Sequence, residues 1–198
     1  MPQLQVLGMD PSLRNWGIAK GTYDTERKQL SIAKVDVIQP SFKWAKGVRQ
    51  SHKDLVSANA LIDGILPHLE DASMVFVEIP IGSQSASAMK GYGVCIGILG
   101  SLRGIGKPFF ELSPSEVKIA ATGSKTATKQ EMIDWAVEHF PNANWPSKTI
   151  KGKQSIITGK AEHMADAAAA IQAGVDAPWF QRVITQQKEP LHENSSVA

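Results

Sequence analysis

Cysteine is nearly absent: the 198 residues include one, Cys95. No internal disulfide can form, and a reducing, intracellular compartment is the simplest expectation, the cytoplasm in particular. Long apolar runs are missing too. None reaches the length needed to span a bilayer, so no membrane partner is expected. The N-terminus lacks a basic region followed by an apolar core, which argues against a signal peptide. Strong charge of either sign is absent: 21 basic residues against 19 acidic give a formal net charge of +2, and that value excludes little. No glycine-rich phosphate loop is found, because Gly123-Ser124-Lys125-Thr126 has neither the glycine–lysine adjacency nor the upstream glycine. Internal repeats are not seen. With 42% apolar and 20% charged residues, the chain suits one globular domain with a sizeable core.

The patterning predicts a mixed α/β fold. Leu4 to Met9 reads as a buried strand, broken by Asp10-Pro11-Ser12. Strands are expected again at 16–21, 29–38, 74–78 and 108–112. Apolar residues at Leu55, Ala58, Ile62, Ile65, Leu66 and Leu69 have helical spacing over 49–69. The small-residue-rich stretch 83–102 reads as a second helix. Ser113 or Ser115 suits the cap of a third. Thr128-Lys129-Gln130-Glu131 is a capping-box pattern opening a fourth, to about Phe140. A polar, basic loop is expected over 145–160, then a helix over 162–174 ending near Gly174 and Pro178. The last residues, 179–198, read as a partly disordered tail after a domain of 1–178. The order predicts a five-stranded mixed sheet flanked by helices on both faces.

Three acids stand at the ends of, or inside, apolar runs: Asp10, Glu78 and Asp166. Burying a carboxylate is costly unless something pairs with it. Alone, Asp10 could start a turn, Asp166 could be a surface acid, and His163 could be an ordinary hydrogen-bonded histidine. Taken together they point to a shared cation. His163 and Asp166 are three apart and share a helical face. If the strands ending in Asp10 and Glu78 are neighbours, both carboxylates leave the sheet at one edge. A carboxylate-rich donor set with few nitrogens suits Mg²⁺, with Mn²⁺ as a substitute. Two such ions support in-line phosphoryl displacement.

Basic residues supply a partner for phosphate. Lys118, Lys125 and Lys129 precede the loop, and Lys148, Lys151, Lys153 and Lys160 fall between 144 and 160 with no acid among them. Charge runs are usually solvated faces, but beside a carboxylate site they suit contacts to a nucleic-acid backbone. Gly93-Val94-Cys95-Ile96-Gly97 is a small-xxx-small pattern too short for a membrane span, so close helix packing, within the chain or against a second copy, is the better account.

These residues resemble a known family. Val6-Leu7-Gly8-Met9-Asp10-Pro11-Ser12, then Trp16-Gly17-Ile18-Ala19, Val75-Phe76-Val77-Glu78 and His163-Met164-Ala165-Asp166-Ala167 look like RuvC, the Holliday-junction resolving endonucleases, in order and at similar spacing over about 3–174. Lys90-Gly91-Tyr92-Gly93, Ser115-Glu116-Val117-Lys118 and Thr128-Lys129 also match family segments. The resemblance implies a ribonuclease-H-like fold and a homodimer with two active sites, its 91–102 helix at or near the interface. It also implies Mg²⁺-dependent paired nicks across a four-way DNA junction. By position, Asp10, Glu78, His163 and Asp166 would be the metal-binding catalytic set, and Lys118 and Lys129 would meet the DNA backbone. His163 departs from the Asp of many members. The loop after Glu78 lacks the aromatic residue some members stack on DNA, and the 145–160 segment looks longer than usual. The cellular family works with a branch-migration motor; a divergent, viral-type relative need not. A junction-binding protein with weak catalysis, and a nuclease for other branched DNA or RNA–DNA hybrids, are the alternatives. An actin-like or sugar-kinase-like ATPase would be longer and carry a second phosphate loop.

Overall fold

The computed structural model describes residues 3–82, 85–150 and 153–186, except for the side chains of 150, 153, 154 and 186. Among these the first three strands are β1 (Gln3–Asp10), β2 (Trp16–Asp24) and β3 (Gln29–Ile38). Helix α1 (Gln50–Leu69), β4 (Met74–Glu78), α2 (Ala86–Gly104) and β5 (Phe110–Leu112) follow. The second half holds α3 (Pro114–Thr122), α4 (Lys129–His139), β6 (Ser147–Ile150), β7 (Lys153–Ile156), α5 (Thr158–Asp176) and α6 (Pro178–Gln186). The main sheet runs β3-β2-β1-β4-β5. Its first three strands are antiparallel neighbours, while β4 lies parallel to β1 and β5 parallel to β4. This is the expected mixed five-stranded sheet.

Strand parity then assigns the faces, because successive side chains point to opposite sides. Leu7 and Met9 of β1, with Val75 and Val77 of β4, pack under α1 and α2 against Leu61, Ile65, Ile98 and Leu99. Val6 and Phe76 point the other way, into a core built from α3, α4, α5 and α6. Asp10 shares parity with Val6 and Gly8, and Glu78 with Phe76. Both carboxylates therefore fall on the α5 side.

Helix α5 lies unusually close to that face. Its buried residues include Ala161, Ala165, Ala167, Ala168, Ala169 and Ala170, which have no bulk to hold the sheet away. On the sheet side, a β-carbon at Gly8 would collide with the Ala167 carbonyl oxygen, and one at Gly17 with that of His163. The contact is backbone against backbone, so neither partner has a flexible end that could yield.

The expected capping box at Thr128 is present, and a second, not expected, forms at Ser113. Ser113, rather than Ser115, caps α3 with Glu116 returning to the Ser113 N–H, and Thr128 and Glu131 do the same for α4. Two expectations change. The 145–160 segment is not a plain loop: β6 and β7 pair antiparallel from Ser147↔Ile156 to Ile150↔Lys153. Thr149, Ile150 and Ile156 supply β-forming residues within an otherwise polar stretch, too short for clear alternation. The tail expected from 179 begins instead with α6. Phe180 is fully buried, edge-on to Tyr23 at 5.3 Å, and Trp179 stacks on Phe110 at 4.4 Å. That aromatic burial outweighs the polarity of Gln181, Arg182 and Thr185. The rest of the expected tail, 187–198, lies outside the described residues. No described helix is long and apolar enough to cross a membrane.

Gly17→Ala is expected to lower the unfolding free energy by about 1–3 kcal/mol or more, the usual cost of overpacking, as read from the urea midpoint. A wild-type midpoint would show that α5 does not need this close approach.

Candidate active site

The parallel register Met9↔Val77 places Asp10 beside Glu78 at the ends of β1 and β4. Helix α5, seated on Gly8 and Gly17, brings His163 and Asp166 over the same end. His163 Nδ1 lies 2.6 Å from Asp10 Oδ2, and both side chains are largely buried. The carboxylate only accepts, so the ring N–H donates.

The electrostatics of the cluster are those of too many acids in too little water. Burial pushes Glu78 up to about 9, helped by the charges of Asp10 and Asp166 and opposed by Lys118. Asp166 rises to about 7, through burial first and then Asp10 and Glu162, with His163 and Lys118 opposing. At neutral pH the free protein relieves its crowding by holding protons on carboxyl groups. His163 shows the converse. Burial alone would lower it, but the Asp10 hydrogen bond and the charges of Asp10, Glu162 and Asp166 together raise it. Half-buried Lys118, on α3, is the cation that opposes ionisation losses at both Glu78 and Asp166.

The donor chemistry, three carboxylates and an imidazole with a local deficit of positive charge, fits a hard divalent cation. Among the described residues, no three His, Cys, Asp or Glu side chains are already arranged to hold an ion. His163 occupies an Asp10 oxygen instead.

No family model matches the chain. Single relatives do. One from Paenarthrobacter aurescens (strain TC1), named crossover junction endodeoxyribonuclease RuvC, is 34% identical over 130 residues, covering 64% of each chain. One of the same name from Anaeromyxobacter sp. (strain Fw109-5) is 30% identical over 135 residues, 64% of this chain and 58% of its own. The chain is similar to RuvC-type crossover junction endodeoxyribonucleases. It spans 58% and 64% of the length of these two curated relatives. Two Thermus thermophilus RuvC structures share its fold. One is free, with a TM-score of 0.58 at 17% identity over 92% of this chain and 97% of the other. The second is described as in complex with Holliday junction substrate, with a TM-score of 0.55 at 17% identity over 87% and 97%. The ribonuclease-H-like fold expected from the RuvC resemblance is therefore the fold observed.

Within that fold the expected residues divide. Asp10, Glu78, His163 and Asp166 come together, and Lys118 joins them. Lys129, at the start of α4, reaches the cluster indirectly through an ion pair with Glu162. Lys125 is exposed in the turn between α3 and α4, and Lys148 is exposed on β6. Lys151 lies outside the described residues, as does the side chain of Lys153. Glu162 was the omission. It stands four residues before Asp166, a like-charged helical pair, and it both raises Asp166 and tethers Lys129. That spacing was readable.

Glu78 sets a pH dependence in the metal-free protein. Its folded value lies above its ordinary one, so the native state binds more protons and stability falls as pH rises from about 4.5 toward 9. In EDTA, Glu78→Gln is expected to raise Tm at pH 7–8 and flatten the decline, with little change near pH 4.5. An equal Tm at both pH values for variant and wild type would contradict the assignment.

Proposed function

We propose that this cluster is the active site of a Mg²⁺-dependent, structure-selective DNA endonuclease that resolves four-way junctions as a homodimer. The observation that carries the reading is the crowding of Asp10, Glu78, Asp166 and His163 on one side of the sheet, with two carboxyls pushed up toward neutrality or beyond. The similarity to RuvC-type enzymes, and the neighbour described with a Holliday junction, support the choice of substrate.

Asp10, Glu78 and Asp166, with His163, would hold Mg²⁺, two ions per site, with Mn²⁺ able to substitute. When bound, such ions neutralise the carboxylates, activate water and stabilise the leaving oxygen of an in-line displacement at phosphorus. The chain's own groups do the rest. His163, donating its Nδ1–H to Asp10, keeps that carboxylate oriented. Lys118 meets a non-bridging phosphate oxygen and draws the scissile group toward the acids. Lys129 is held in reserve on Glu162 and can exchange that partner for phosphate. Lys125, and Lys148, Lys151 and Lys153 of the β6–β7 segment, contact the backbone of an arm. Attack by water leaves a 5′-phosphate and a 3′-hydroxyl, and two copies place paired nicks symmetrically.

A labelled four-way junction incubated with Mg²⁺ tests this. Wild type is expected to give symmetric nicks and Asp10→Asn none. Glu78→Gln should bind the junction as wild type does while losing cleavage by about 10²–10³-fold, the scale expected when a preorganised electrostatic group is removed. Equal nicking by Asp10→Asn, or an intact wild-type junction, would overturn the proposal.

A further inference from the structure

Residues 39–53 contain Lys43, Lys46, Arg49, His52 and Lys53 and no acid. The carboxylate site uses none of them. The segment leads from β3 into α1 and carries two aromatic rings near the surface. Phe42 is 42% exposed and lies 5.3 Å from half-buried Trp44, centroid to centroid. Lys53 Nζ sits 5.9 Å over the Trp44 ring. Helix α1 starts here without a side-chain cap and with no acid in its first turn, so its opening N–H groups favour an anion.

Trp44 and Lys53 form one wall of a groove of about 880 Å³ that also takes in Arg14, Lys90 and Tyr92. Asp54 is the only acid among the described residues that line it, and Lys90 neutralises it at 2.7 Å. Arg14, Lys53 and Lys90 against Asp54 leave a surplus of two positive charges. The groove also includes Pro11 and Ser12, directly after Asp10, and Pro80, two residues after Glu78. It therefore opens off the same sheet end as the four-residue cluster.

We propose that this groove binds an unpaired DNA strand running to or from the active site, with Trp44 as its stacking platform. Cations beside an aromatic ring are the combination that holds single strands, because an unpaired base stacks on the ring while its phosphates follow the charge. Trp44 is half-buried, with Lys53 over its ring and His52 edge-on at 6.2 Å, so a stacking base takes the place of the Lys53 ammonium on that face. A duplex hides the faces of its bases. The inference rests on the proposed junction cleavage for the source of the strand, since unpaired nucleotides arise at a branch point. The strand preference itself is measurable without cleavage.

The test is fluorescence anisotropy of the full chain in EDTA with a short labelled oligothymidylate and with a blunt duplex of equal length. Wild type is expected to prefer the oligothymidylate. Trp44→Ala should weaken that binding by about tenfold or more, the scale of one lost base stack, and leave duplex binding unchanged, while Trp44→Phe retains most of it. Arg14→Ala combined with Lys53→Ala, both lining the groove, should lower the salt slope of oligothymidylate binding by roughly one to one and a half. This gives a second reading should Trp44→Ala unfold. Equal affinity for the two DNAs, or a Trp44→Ala variant and a salt slope both like wild type, overturns the proposal. If junction nicking fails but strand binding still depends on Trp44, the cleavage reading falls and the groove stands. Normal nicking with strand-blind binding gives the reverse.

Discussion

Everything at the active end of this molecule depends on how closely helix α5 rests on the sheet. Gly8 and Gly17 remove the side chains that would hold it off, and their missing β-carbons face the carbonyl oxygens of Ala167 and His163. The alanines of α5 do the same from the other side. Alanine and glycine bury little apolar area, so this seat is built less for hydrophobic yield than for position. Its consequence is geometric. A helix standing one side-chain layer higher would leave His163 out of hydrogen-bond reach of Asp10, now 2.6 Å away, and would open the cluster to water.

Closeness and dryness then shape the chemistry. The same packing that fixes the acids strips their solvent, and it is burial, ahead of mutual repulsion, that raises both Glu78 and Asp166. Such a site costs stability in the free protein. It is tolerable because nearby cations and protons offset part of the charge: Lys118 directly, His163 through Asp10, and Lys129 through Glu162. On the proposed reading, the unmet remainder would give the cluster its affinity for a divalent cation and for the phosphate that follows it. The lysine-bearing surfaces beyond, including the groove beside Trp44, would extend that attraction along a nucleic-acid chain.

Much of this was legible in the sequence where the signal is local or periodic. The five strands of the sheet, the capping box at Thr128, and the shared face of His163 and Asp166 all follow from spacing, whereas the cap of α3 was narrowed only to Ser113 or Ser115. The common fate of Asp10 and Glu78 needed one further fact, the adjacency of β1 and β4, after which strand parity does the rest. The β6–β7 hairpin was not legible because four-residue polar strands carry almost no alternation. Helix α6 was hidden by its polar residues, since Phe180 and Trp179 are stabilised by rings far away in sequence: Tyr23, Phe76 and Phe110. The role of Glu162 was readable from its distance to Asp166 but was masked by the more conspicuous His163 beside it.

The central claim is that the carboxylate cluster carries a charge imbalance that a divalent cation corrects. Titration calorimetry of Mn²⁺ into the protein at pH 7, in buffers of different ionisation enthalpy, counts the protons exchanged on binding. With Glu78 near 9 and Asp166 near 7, the cation must displace protons held by the free site, so binding is predicted to release them, and Glu78→Gln to release fewer. Mn²⁺ binding without proton release, or with release unchanged by Glu78→Gln, would contradict the account.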